Sequence, residues 1–166
     1  MAPAWFTRAM GYLGLKEVPG KENNPVIVGW WAKIRAPFKD DETPWCAGFV
    51  GGVLEECGLP STRSASARSY MNYGVSLQCA YVGAIVVFQR GTPASGLGHV
   101  GFVAGQDAKG NLMVLGGNQG DCVSIKPFDR TRILGYRWPK EVPLPAIADK
   151  YLPLLNSDGK LSTNEA

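Results

Sequence analysis

The sequence predicts an α+β fold in which N-terminal helices pack on a C-terminal antiparallel β-sheet of about five to six strands. Apolar residues recur at helical spacing in the first half of the chain, whereas short β-rich runs separated by turn residues occupy the second half. The composition, 45% hydrophobic and 19% charged, is that of a folded globular protein and excludes a disordered or fibrous chain.

Three helices and a shorter fourth are expected in the first half. Apolar residues from Trp5 to Leu13 follow helical spacing and predict the first. In the second, Asn24 serves as N-cap, with Pro25 at the first helical position. The third begins at Thr43-Pro44 and runs to Cys57-Gly58. The fourth lies in "STRSASARSYMNYG".

Five β-rich runs predict the strands of the sheet: "GAIVVFQR", "GHVGFVAGQ", "GNLMVLGGNQ", "CVSIKPF" and "RILGYRW". We therefore assign residues 1–139 to one globular domain. Residues 140–166 begin with a proline-rich linker and predict an extension with a short amphipathic helix near residues 146–155 and a disordered polar tail.

Charge and cysteine usage narrow the possible partners. The net charge of +3 is too small to indicate a nucleic-acid partner. The sequence has no apolar run of 18 residues, so we expect no stable membrane insertion. The N-terminus lacks the pattern of a signal peptide, so we expect synthesis in a cytoplasm. The four cysteines match no zinc spacing and the chain has a single histidine, so we expect no metal and no other cofactor. In a reducing cytoplasm we also expect no disulfides.

Cys46 is the first candidate for chemistry. With Thr43 as N-cap, it falls in the first turn of the third helix, where free backbone N–H groups and the helix dipole favour a thiolate. Ala47 and Gly48 are small and leave room for a substrate. The local sequence fits an inert core cysteine equally well.

The single histidine is the available base for such a nucleophile. His99 begins a strand behind Gly98, where small neighbours predict an accessible imidazole. If the hairpin turns at residues 107–110, Asn118 lies across from His99 and its amide oxygen orients the ring. The residues thus predict a Cys46–His99–Asn118 set. By alternation Gln119 faces the other side, so it ranks below Asn118.

The motifs "PWCAGFV", "GAIVVFQRG…GHVGFV" and "VLGGNQ", in this order, resemble those of the papain-like peptidoglycan hydrolases, the CHAP domains and their NlpC-type relatives. The similarity is strongest to compact proteins of phages and prophages and covers about residues 5–139. It implies a papain-like fold and a cysteine amidase or endopeptidase of the endolysin type, with Cys46 as nucleophile, His99 as general base and Asn118 as orienting residue. Trp45 and Gln119 are weaker candidates for substrate binding.

The sequence departs from that pattern at several points. No glutamine precedes Cys46 to help an oxyanion hole, and the second histidine of many NlpC-type members is missing. Many CHAP domains have an acidic residue two positions before the orienting asparagine, and Gly116 stands there. No acidic calcium-binding loop precedes Cys46, in keeping with the expected absence of a metal. The resemblance implies a monomer that acts on bacterial peptidoglycan after release or delivery from the cytoplasm. A papain-like deamidase or acyltransferase acting on protein, and a catalytically silent wall-binding or virion module, are the alternatives.

Overall fold

The computed structural model describes residues 2–146 and 151–163. Three α-helices precede the main sheet: α1 (Ala4–Met10), α2 (Pro25–Lys33) and α3 (Cys46–Glu56). The predicted fourth helix is a 3₁₀ segment over Ala67–Asn72. The strands are β1 (Val75–Leu77), β2 (Ile85–Gln89), β3 (Gly98–Gln106), β4 (Leu112–Gly116), β5 (Ser124–Phe128) and β6 (Ile133–Trp138). The α+β, papain-like prediction is confirmed.

The six strands form one antiparallel sheet in the order β1-β6-β2-β3-β4-β5. Each of the five predicted runs contains a strand, and the short edge strand β1 was not anticipated. β3 is the longest strand and lies in the interior of the sheet, between β2 and β4. Helix α3 packs on β3 and β4 from one side and against α2 on the other. This arrangement places the start of α3 close to the sheet.

Helix α3 is held tightly because glycines line its contact with α2. A Cβ at Gly52 would overlap the ring of Trp30, and one at Gly51 would come within 2.7 Å of Ile34. Such close approach leaves little space for the helix to shift. Asn24 caps α2 as predicted, its side-chain oxygen accepting a 2.9 Å bond from the Val26 N–H.

Helix α3 begins later than the sequence predicted. Its N-cap is Trp45 rather than Thr43, and Cys46 is the first helical residue. The reason is Asp40, whose carboxylate accepts a 2.6 Å hydrogen bond from the Thr43 N–H and holds that residue in the preceding turn. The neighbouring Asp41 is fully buried and accepts bonds from the backbone of Val18 and Asn24. Both aspartates therefore hold in place the backbone segment that precedes Cys46.

The described part of the C-terminal extension lies along the sheet. Gln106 exchanges backbone hydrogen bonds with Pro153 and Leu155, and the Ser162 N–H donates to the Pro127 carbonyl. Residues 147–150 of the predicted helix lie outside the described residues, and residues 152–163 contain no helix, only a β-bridge between Leu154 and Gln106. Where a disordered tail was expected, the described residues contact the domain as far as Ser162.

Candidate active site

Cys46 opens into a cavity of about 310 Å³. The thiol residue itself is only 4% exposed. Thr43 and Pro44, residues 65–67, Arg90 and residues 96–98 form the other walls. As the first residue of α3, Cys46 lies beside backbone N–H groups that have no acceptor within the helix. The thiol of Cys46 therefore faces the cavity at the N-terminal end of α3, where the helix dipole is positive.

His99 lies on β3 directly after Gly98, which lines the same cavity as Cys46. The imidazole is fully buried, although the sequence predicted an accessible one. It stacks on Phe128 with ring centroids 5.3 Å apart and planes 8° from parallel. Aromatic packing thus fixes the plane of the ring.

Gln119 makes the side-chain hydrogen bond to the imidazole, with Oε1 of Gln119 lying 2.9 Å from Nε2 of His99. The sequence assigned this contact to Asn118. The predicted pairing does hold as far as Phe102 with Leu115. The strand ends at Gly116, however, and Asn118 has a left-handed backbone with φ of 60°. This turn ends the strand alternation, so Gln119 points back toward β3.

Two glycines make room for this arrangement. A Cβ at Gly116 would overlap Oε1 of Gln119 and lie 3.2 Å from Nε2 of His99. A Cβ at Gly117 would come within 2.7 Å of Trp45 and Phe49 in and beside the first turn of α3. The space beside Gly116, where the resemblance led us to look for an acidic side chain, is thus occupied by the amide of Gln119, which arrives from further along the chain.

The surroundings of Gln119 determine the tautomer of His99. The Gln119 amide nitrogen donates to the carbonyls of Ser124, at 2.9 Å, and Val114, at 3.1 Å. This orientation turns Oε1, which only accepts, toward His99. Nε2 of His99 therefore carries the proton, and Nδ1 keeps its lone pair. Among the described residues, buried Nδ1 has no hydrogen-bond partner.

The imidazole of His99 is held neutral. Burial lowers its pKa to about 4, and the positive charges of Arg132 and Arg90 act in the same direction. The hydrogen bond with Gln119 opposes this shift, because it favours the protonated ring. At neutral pH, His99 is thus an uncharged base whose free nitrogen is Nδ1.

Trp45, one of the two weaker candidates for substrate binding, lies in the core. It is fully buried, and its indole nitrogen donates a 2.8 Å hydrogen bond to the Glu17 carboxylate. Gln119, the other candidate for substrate contact, is 1% exposed and is bonded to His99. The sequence analysis ranked Gln119 below Asn118 as the residue that orients His99, yet Gln119 makes this hydrogen bond. The available signal was the "GGN" before it, a composition that favours a left-handed turn over a continuing strand.

Within residues 2–146 and 151–163, no three histidine, cysteine or acidic side chains are grouped so that they could hold a metal ion. None of the helices in that same part of the chain has the length and apolar character needed to cross a membrane.

Comparison with known families matches residues 38–118 to the CHAP domain. The matched span contains Cys46, His99 and Asn118 and ends one residue before Gln119. No curated protein matches the chain.

Proposed function

The chain carries a CHAP domain, and from that premise we propose that it cleaves amide bonds of cell-wall peptide with Cys46 as the nucleophile. Proteins with this domain are cysteine- and histidine-dependent hydrolases of peptidoglycan, of the amidase or endopeptidase type. The observation that carries the proposal is the fixed tautomer of His99, which leaves Nδ1 as a proton acceptor in a buried site beside the cavity of Cys46.

The first half of the reaction forms an acyl-enzyme. Nδ1 of His99 accepts the thiol proton as the sulfur of Cys46 attacks the carbonyl carbon of the substrate amide. The resulting oxyanion faces the free backbone N–H groups in the first turn of α3. The C–N bond then breaks, the leaving amine takes the proton from Nδ1, and a thioester remains on Cys46.

The second half releases the acyl group. A water molecule gives a proton to Nδ1 of His99 and attacks the thioester carbonyl. The C–S bond breaks, the thiolate of Cys46 recovers the proton, and the product leaves as a free acid. Gln119 keeps Nε2 protonated throughout, because its oxygen faces that atom while its nitrogen is tied to Ser124 and Val114.

Hydrolysis of cell-wall peptide suits a protein that lyses bacterial cells. We propose a lysin of the kind encoded by phages, made in the cytoplasm and released or delivered to the wall. In support, the domain matches a peptidoglycan-directed family.

Mass spectrometry of purified murein digested by the protein tests the proposal. Each cut should produce one new amine and one new carboxyl group, and the fragment masses identify the bond as sugar–peptide or peptide–peptide. Unchanged murein after digestion with folded protein would contradict the proposal. Conversion of glutamine side chains in a test protein instead would favour a deamidase.

A further inference from the structure

We propose that Arg90, assisted by Arg68, binds a free carboxylate of the peptide next to the bond that Cys46 cleaves. This inference rests on the proposed function and specifies its substrate as an acidic peptide. It concerns two arginines that the reaction with Cys46 and His99 does not use.

Position is the first argument. Arg90 lines the same cavity as Cys46, and it is the charged residue among the described residues of its walls. Arg68 lies behind the wall formed by Leu97 and Gly98. Its Nε donates a 2.9 Å hydrogen bond to the Leu97 carbonyl, and its Cγ would lie 3.0 Å from a Cβ at Gly98. One arginine therefore lines the cavity of Cys46, and a second contacts two residues of the same cavity wall.

Unused hydrogen-bond donors are the second argument. Nε of Arg90 and Nη2 of Arg68 are both buried, and neither has an acceptor within the described part of the chain. Arg8 and Arg63, by contrast, each pair with a glutamate. Buried donors of a charged group are normally satisfied, so donors left open beside a reactive thiol indicate an acceptor on the substrate.

The chemistry of the guanidinium group identifies that acceptor. Arginine binds a carboxylate through two parallel N–H···O bonds, which fix both distance and orientation. Cell-wall peptides carry free carboxylates along their backbone. A carboxylate held by Arg90 would place the neighbouring amide over Cys46, because both residues line one small cavity.

Two forms of one substrate test this inference. Purified murein is compared with the same murein after carbodiimide coupling to ammonia, which converts its carboxylates to carboxamides. Initial rates of amine release are measured at about pH 7.5, where His99 is neutral in every variant. The proteins are the parent, Arg90→Gln, Arg90→Lys and Arg130→Gln. Arg130 is a matched control because it bonds to Gly110 in the turn at the far end of β3.

The parent and the Arg130→Gln variant should cleave native murein about tenfold faster than amidated murein, mainly through KM. Arg90→Gln should bring the two rates together by slowing cleavage of native murein. Arg90→Lys keeps the positive charge but loses the two parallel N–H donors of the guanidinium group. Its preference for native murein should therefore lie between those of the parent and Arg90→Gln.

Equal rates on the two mureins with the parent, or an undiminished preference in Arg90→Gln, would overturn the inference while leaving the hydrolase intact. No release from either murein by the folded parent would instead contradict the proposed function itself.

Discussion

The side-chain oxygen of Gln119 lies 2.9 Å from Nε2 of His99, while the amide nitrogen of Gln119 is tied to two backbone carbonyls. This relationship assigns the ring proton to Nε2 and leaves Nδ1 as the base. It also relates the sheet to the proposed chemistry, because those carbonyls belong to Val114 on β4 and Ser124 on β5.

Replacing Gln119 should therefore change the tautomer as well as the rate. We expect Gln119→Leu to lower kcat/KM on the order of 100-fold, because Nε2 loses the acceptor that keeps it protonated. Nitrogen NMR shifts of the single imidazole should show a loss of the Nε2–H form. Gln89→Leu removes an exposed amide and serves as the control. An unchanged tautomer in Gln119→Leu would contradict this role.

A methyl group at Gly116 should have a similar effect, although neither polar residue is replaced. The added Cβ would overlap Oε1 of Gln119 and crowd Nε2 of His99. We expect Gly116→Ala to lower kcat at least about tenfold, as misplacement of a catalytic group does. Gly29→Ala is the matched control, because a Cβ there meets open space. Equal kcat values for the two variants would show that the Gly116 space is not needed.

The pH profile should extend well into the acid range. His99 must be neutral to accept a proton, and its pKa is lowered to about 4. The acidic limb of kcat/KM should therefore have its midpoint near pH 4 instead of near the ordinary histidine value of about 6.5. Steady-state kinetics on soluble murein fragments, with folding monitored by circular dichroism at each pH, would measure it. A midpoint at or above the ordinary value, in folded protein, would contradict a buried neutral base.

Glu56 should matter for stability rather than for catalysis. Its nearly buried carboxylate accepts bonds from Tyr12, Arg8 and Lys33. Burial raises its pKa, but these bonds outweigh burial and leave the pKa below its ordinary value. A lowered pKa gives stability that is present above the unfolded-state pKa and is lost as the pH falls below it.

We expect Glu56→Gln to reduce the free energy of unfolding by about 1–3 kcal/mol at neutral pH, with less loss in acid. Urea denaturation at two pH values measures this difference. Activity per folded molecule should not change. A neutral-pH stability equal to that of the parent would show that the carboxylate contributes nothing.

Periodicity and turn composition predicted the fold and the pairing of β3 with β4. Phe102 does face Leu115 as counted, although a bulge near Ala104 shifts the register closer to the turn. The count failed after Gly116, because strand alternation cannot be extended through a left-handed residue such as Asn118. Local pattern predicts a strand well but does not fix the residue that ends it.

The position of Cys46 in a first helical turn was also predicted, but its exact place was not. Asp40 binds the backbone of Thr43 and delays the helix. The burial of Trp45 depends on Glu17, which is distant in the chain. Such pairings between remote segments are determined by tertiary packing and leave no periodic signal.

The rate of amine release from murein by Cys46→Ala tests the central claim most directly. The parent and Cys57→Ala, which removes a half-buried thiol at the other end of α3, should both release amines at the same rate. Cys46→Ala, equally folded, should release none above background. Release by Cys46→Ala at the parental rate would contradict the assignment of Cys46 as the nucleophile.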